Sequence, residues 1–258
     1  RGAPLENMRR VGWYTSLGGD GTALRRFARE ATTAKRMTGP TFPRVYAFGI
    51  WKGKPYMAME LLEGRDLATH LAAKGPMVPR DVAAVIAQVA KALSKAHQAG
   101  VIHRDLKPEN IFLLARTDHG APRVVKVLDF GVARATDSDL QHATMRTDVG
   151  QIVGTIPYMS PEQTSGDSSE LDTRSDVYAL GVITYELLAG KLPYDLHRKM
   201  PLEALRTIRE SEPTRLSTLD RTLRGDVESE KLFDDALFVE LHPTVIPRAA
   251  AGAGGRRT

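Results

Sequence analysis

From Val177 to Ala189 the chain is nearly all apolar, with Glu186 as its one charge, and Gly190 closes the run. It is far shorter than the roughly 20 residues of a membrane-spanning helix. A helix apolar on all sides must lie in the middle of a domain, with other elements on every face. Thr173, followed three residues later by Asp176, gives this helix a capping-box start. The chain has 258 residues, enough for one large domain or two small ones with a sizeable core. Charged residues make up 26%, the ordinary globular value, which excludes wholesale disorder. The absence of Cys excludes a disulfide framework, a thiol nucleophile and a Cys-ligated zinc. The net charge of +5 suits a protein that handles phosphates but is too weak to argue for a nucleic-acid partner. No segment reads as a membrane span or a signal peptide.

Leu24, Phe27, Ala28, Ala31 and Ala34 recur at helical spacing and predict a helix over Ala23 to Met37, ended by Gly39-Pro40. Val45 to Ile50 and Tyr56 to Leu62 read as a hairpin joined at Trp51 to Pro55. Leu67 to Ala73 is a short helix. Pro79 to Ala99 is a strongly amphipathic one, with Pro79 at its first position and Gly100 just past its end. Its stripe is Val82, Val85, Ile86, Val89 and Leu93. Val124 to Leu128 reads as a buried strand, residues 132–170 as a long functional loop, and Leu202 to Arg209 as a helix. The predicted class is α+β in two lobes, with the boundary near residues 62–66.

Between the amphipathic helix and the short apolar run Ile111 to Leu114 stands His103-Arg104-Asp105-Leu106-Lys107-Pro108-Glu109-Asn110. It has the spacing H-R-D-L-x-x-x-N of a protein-kinase catalytic loop. Asp129-Phe130-Gly131 follows a strand at the right order, and Ser160-Pro161-Glu162 stands where A-P-E is expected. His103 is a core histidine, and within this motif it stays one, beneath Phe130. Taken singly, Asp129 before Gly is a turn residue, and Met59 and Phe112 plain core. Three motifs in order outweigh those last readings.

With Gly154 to Gln163 and Ser175 to Gly181 added, the chain resembles the eukaryotic-like Ser/Thr protein kinases of bacteria from about Gly21 to Arg224. The resemblance implies a two-lobed kinase fold: a partial small lobe over 1–62, a large catalytic lobe over 63–227, and a divergent tail over 228–258. It implies transfer of the ATP γ-phosphate to Ser/Thr hydroxyls of protein substrates, with Mg²⁺, in the cytoplasm. A longer parent protein tethered to a membrane is compatible with this.

By the same resemblance Asp105 orients the acceptor hydroxyl, Lys107 faces the γ-phosphate, and Thr155 holds the two in register. Asn110 and Asp129 are the metal ligands. Met59 is the gatekeeper, the backbone around Glu60 and Leu62 meets adenine, Asp66 faces the ribose and Phe112 lies under the base. Glu30 occupies the position that pairs with a nucleotide-gripping Lys; the plain alternative is a surface Glu beside Arg26. Arg104 is the receiver of a loop phosphate, with Thr147 as first acceptor and Thr144 as second. Asp176 caps its helix and bonds the catalytic-loop backbone, and Glu162 is structural.

The sequence departs from that pattern at both ends. No G-x-G-x-x-G and V-A-I-K precede the first helix; Val11-Gly12-Trp13-Tyr14-Thr15 stands where the Lys is expected. Arg9 and Arg10 are the nearest cations, and Arg is a poor replacement for that Lys. The start at Arg1, without Met, suggests a piece of a longer chain. Late helices are not recognisable in Ser229 to Thr258, so the central helix is expected to be left partly bare and the chain marginally stable. The alternative function is a pseudokinase-like interaction module. A small-molecule phosphotransferase is disfavoured by the long segment 132–159.

Overall fold

The computed structural model describes residues 11–13, 21–52, 54–115, 124–130, 154–165 and 172–219. Helix α1 (Gly21–Arg36) buries Phe27 and Ala31 against Met57, on one side of a three-stranded antiparallel sheet. Lys35 and Arg36 lie in its last turn, where cations offset the helix dipole. The sheet has the order β1 (Val11–Trp13), β3 (Lys54–Met59), β2 (Val45–Trp51). The expected hairpin is present, with Ile50 opposite Pro55 and Trp51 opposite Lys54; Lys52 takes φ 48° at its turn. Val11–Trp13, for which no element was predicted, is a strand paired with Tyr56–Ala58.

A second antiparallel sheet has the order β4 (Gly64–Asp66), β5 (Ile111–Leu114), β6 (Val125–Val127). Gly64 sits at φ 148°, and a Cβ there would lie 2.1 Å from the Leu113 carbonyl oxygen. The neighbour is backbone and cannot turn aside. Gly64→Ala is expected to destabilise the chain by about 2 kcal/mol or more, read as a fall in the thermal midpoint. An unchanged midpoint would contradict the close approach.

The helical part begins with α2 (Leu67–Lys74) and α3 (Pro79–Gln98). Pro79 opens α3, and Gly100 takes the left-handed conformation beyond its end. The predicted stripe is buried and is widened by Ala90, Ala92 and Ala96. A 3-10 turn (Ile156–Tyr158) and α4 (Pro161–Ser165) precede α5 (Arg174–Ala189), which contains the apolar run Val177 to Ala189; α6 (Pro201–Glu210) and α7 (Leu216–Leu219) follow.

α5 lies at the centre of the main core, with Leu180, Ile183 and Leu187 fully buried alongside Leu67, Leu93 and Leu106. α3, the 3-10 turn at Ile156–Tyr158 and α7 pack against it. From Val177 to Ala189 no residue is exposed. The expectation of a partly bare helix is therefore corrected: α3 and two short elements pack against it, and none of its apolar residues is exposed. The predicted cap is corrected as well. Thr173 has helical dihedrals and makes no side-chain cap bond, because Asp176 is turned to other donors.

Candidate active site

The segment from His103 to Asn110 links α3 to β5 and is held from α5. Asp176, 1% exposed, accepts hydrogen bonds from the backbone N–H of His103 (2.9 Å) and of Arg104 (2.8 Å). His97 Nε2 lies 2.7 Å from the same carboxylate and must donate to it. Arg104 has φ 64°, a conformation costly for a side-chain-bearing residue unless its surroundings fix it. Its carbonyl accepts from Gln163 Nε2 at 2.9 Å, tying α4 to the loop.

This frame sets out the polar groups in order. Lys107 Nζ stands 3.3 Å from Asp105 Oδ2 and donates to Thr155 Oγ1 at 3.1 Å. Asp105 Oδ1 is buried and has no hydrogen-bond partner among the described residues. A buried carboxylate oxygen left unpaired is costly and marks a group kept for a reactant. Asn110 Nδ2 donates to the Asp105 carbonyl at 2.8 Å, which leaves the amide oxygen of Asn110 for another partner.

Asp129 follows β6 and also has positive φ, 48°. Burial pushes its carboxyl above the usual range; His103 opposes the shift and the Asp105 charge adds to it. A buried carboxylate facing a second one has the chemistry of a hard-cation ligand, and the Asn110 amide oxygen is of the same type. These donors fit a divalent cation. Among the described residues no three His, Asp or Glu side chains converge on a point, so the other ligands would come from phosphate oxygens and water. Phe130 packs between His103 (ring centroids 4.7 Å apart) and Phe42 (5.4 Å), and His103 Nε2 lies 2.9 Å from the Leu128 carbonyl. His103 is thus the core histidine that the sequence suggested.

Met59 ends β3, and Phe112 on β5 stands opposite Asp66 on β4. Neither the Glu60 carbonyl nor the Leu62 N–H has a partner among the described residues, whereas the Glu60 N–H donates to the Arg44 carbonyl at 2.8 Å. Asp66 also caps α2, accepting from the Thr69 N–H and hydroxyl, each at 2.7 Å. Glu30 lies on α1, but its side chain is outside the described residues, as are Thr144 and Thr147 altogether. Glu162 accepts from Ser175 Oγ at 3.1 Å.

One site residue escaped the sequence reading. Lys126 is 6% exposed, within the apolar strand β6. Its ammonium donates to the Phe42 carbonyl (3.0 Å) and to Glu60 Oε2 (2.7 Å), which also accepts from the Arg44 N–H. The signal was a lone Lys in Val-Val-Lys-Val-Leu, since a buried Lys requires a partner. Burial raises the Glu60 carboxyl, but Lys126 and the Arg44 N–H outweigh it and hold the group below its ordinary value. Glu60 therefore adds stability that is present above its unfolded pKa and lost as pH falls through the folded one. Glu60→Gln is expected to cost about 1–2 kcal/mol near neutrality, with the gap closing in acid. Chemical denaturation across that pH range measures it; a gap independent of pH would contradict the pairing.

Comparisons with known proteins identify the family. Residues 18–232 match the family model described as Protein kinase domain. The serine/threonine-protein kinase pkn3 of Myxococcus xanthus is 46% identical over 177 residues, covering 68% of this chain and 31% of that protein. PknB of Mycobacterium leprae is 40% identical over 173 residues, with 66% and 26% covered. PrkC of Bacillus subtilis is 36% identical over 176 residues, with 68% and 25% covered. The matched segments make up less than a third of each of these curated relatives.

Proposed function

The chain belongs to the protein kinase domain family, and from that premise we propose that it transfers the γ-phosphate of ATP to Ser or Thr hydroxyls of protein substrates. The observation that carries the reading is Asp105: one oxygen lies 3.3 Å from Lys107 Nζ, and the other is buried with no hydrogen-bond partner among the described residues. In the transfer the acceptor oxygen bonds to the γ-phosphorus, the bond from that phosphorus to the β–γ bridging oxygen breaks, and ADP leaves. The hydroxyl proton passes to Asp105, the carboxylate in place to orient and accept it. Lys107 offsets charge on the moving phosphoryl group, and Thr155 fixes the ammonium that does so.

Asn110 and Asp129 would hold Mg²⁺, which when bound neutralises the phosphate tail. We take residues 1–62 as the small lobe, 63–227 as the large lobe and 228–258 as a tail, with adenine against the Glu60 and Leu62 backbone, Asp66 toward the ribose, and Met59 and Phe112 about the base. Glu30 is assigned to the grip on the α- and β-phosphates, and Arg104 to a phosphate on Thr147 or Thr144. Among the described residues no helix is long and apolar enough to cross a membrane. Dependence on ATP puts the domain in the cytoplasm. A binding-only module is not favoured, since Asp105, Lys107, Asn110 and Asp129 are all present.

Calorimetric titration with ATP tests the nucleotide and metal half of this reading. Binding is expected to strengthen at least about tenfold when Mg²⁺ is added, and Asp129→Asn is expected to remove that gain. Equal affinity with and without Mg²⁺ would contradict the assignment of Asp129.

A further inference from the structure

Ser160-Pro161-Glu162-Gln163 ends in a side chain whose two polar ends are both engaged. Gln163 Oε1 accepts from the Ser160 N–H at 3.0 Å and from the Ser160 hydroxyl at 3.2 Å, and Nε2 donates to the Arg104 carbonyl at 2.9 Å. The partners fix which end of the amide is which, because a backbone N–H only donates and a carbonyl only accepts. Ser160 is fully buried, so the amide is anchored on the interior. Gln suits this place by its chemistry. An ionised Glu has no donor for the Arg104 carbonyl, and Lys has no acceptor for Ser160.

Arg104, at φ 64°, keeps its costly conformation only while the peptides on both sides of it are fixed. The peptide before it is fixed by Asp176, which accepts from the Arg104 N–H at 2.8 Å. The peptide after it is planar and carries the Asp105 N–H. That N–H reaches His103 Nδ1 only at 3.4 Å, a weak contact, so the carbonyl end held by Gln163 decides the plane. Gln163, Asp105, Thr155 and Asp176 line one cleft too narrow to hold water, and no solvent molecule competes there for the carbonyl. The same segment reaches the loop a second time, where Thr155 Oγ1 accepts from Lys107 Nζ.

We propose that Gln163 is a positioning residue for phosphoryl transfer: it holds the Arg104–Asp105 peptide and, through it, the direction of the Asp105 carboxylate. The inference rests on the protein-kinase reading and adds to it a residue that acts through the backbone. Such a residue affects kcat and leaves the KM for ATP unchanged, since the donors assigned to nucleotide and metal lie elsewhere.

Two variants of the full chain test this, with hydrogen exchange of residues 103–107 measured by mass spectrometry alongside transfer of labelled phosphate from ATP to casein. Gln163→Leu removes both polar ends. Gln163→Glu keeps the acceptor for Ser160; as an anion it donates nothing to Arg104, and once protonated it donates as the amide does. Burial and the carboxylates of Asp105 and Asp176, which line the cleft, favour the protonated form; Arg104 opposes it, and Glu162 on α4 is turned to Ser175 Oγ. Gln163→Leu is expected to speed exchange and to lower kcat, each by about tenfold, with the KM for ATP unchanged. Gln163→Glu should show the same deficit near pH 8 and lose most of it by about pH 6, relative to wild type at each pH. Exchange unchanged in Gln163→Leu, kcat unchanged despite faster exchange, or a Gln163→Glu deficit that does not shrink in acid overturns the proposal. A lowered thermal midpoint with kcat intact overturns it too, because Gln163 is then only structural. Faster exchange in the variants of a chain whose wild type transfers no phosphate leaves the hold on Asp105 standing and sinks the kinase reading.

Discussion

Asp105→Asn is expected to slow phosphoryl transfer by about 10²–10⁴-fold, the range over which a positioned general base contributes. The substitution keeps the shape of the side chain. It replaces a carboxylate oxygen that can take a proton with an amide that cannot. It also weakens the 3.3 Å pairing with Lys107, whose ammonium is then held by Thr155 alone. Nucleotide affinity should barely move, because the donors assigned to the metal are Asn110 and Asp129. The signature is a fall in kcat with an unchanged KM for ATP, measured in parallel with wild type. An equal rise in KM would mean that Asp105 serves binding.

Asp176→Ala is expected to produce the largest loss of stability. Its carboxylate, 1% exposed, takes two backbone N–H groups and the His97 ring. Alanine leaves both N–H donors without a partner in the interior, and each such loss costs about 1–3 kcal/mol. The total should come to about 3–5 kcal/mol, a fall in the thermal midpoint of roughly 10 °C for a chain of this size. Asp176→Asn retains an acceptor and should cost less. The same change frees Arg104 to leave its φ of 64°, so the loop bearing Asp105 should lose its fixed path and activity should fall with stability. A loss under about 1 kcal/mol would show that other contacts hold the loop.

Much of this was legible in the residues, for identifiable reasons. The α3 stripe and its Pro79 and Gly100 ends are local signals, and local signals survive into the fold. The loop from His103 to Asn110 was readable because its spacing is itself the chemistry. Other features depend on partners distant in sequence. β1 and β4 are three residues each and exist through pairing with β3 and β5, so neither carries a pattern of its own. The five residues of α4 are too few for a helical period to appear. The capping-box reading of Thr173 failed because Asp176 is drawn to the buried N–H groups of His103 and Arg104, a stronger demand than a helix end open to water. The Lys126–Glu60 pair joins residues 66 apart, and only the burial of Lys126 in an apolar strand hinted at it. The cover of α5 was misjudged because, beside α3, it includes a 3-10 turn and a four-residue helix, which periodicity does not reveal.

The central claim is that Asp105, Lys107, Asn110 and Asp129 form one phosphoryl-transfer centre. The most direct test follows the label from γ-labelled ATP into a Ser/Thr-containing protein, using the full-length protein, its Asp105→Asn variant and its Asp129→Asn variant. The account predicts label on Ser or Thr with wild type and Mg²⁺, and a rate lower by about 10²-fold or more with either variant. Full-rate transfer by the Asp105→Asn protein, or label appearing only as free phosphate with all three, would contradict it.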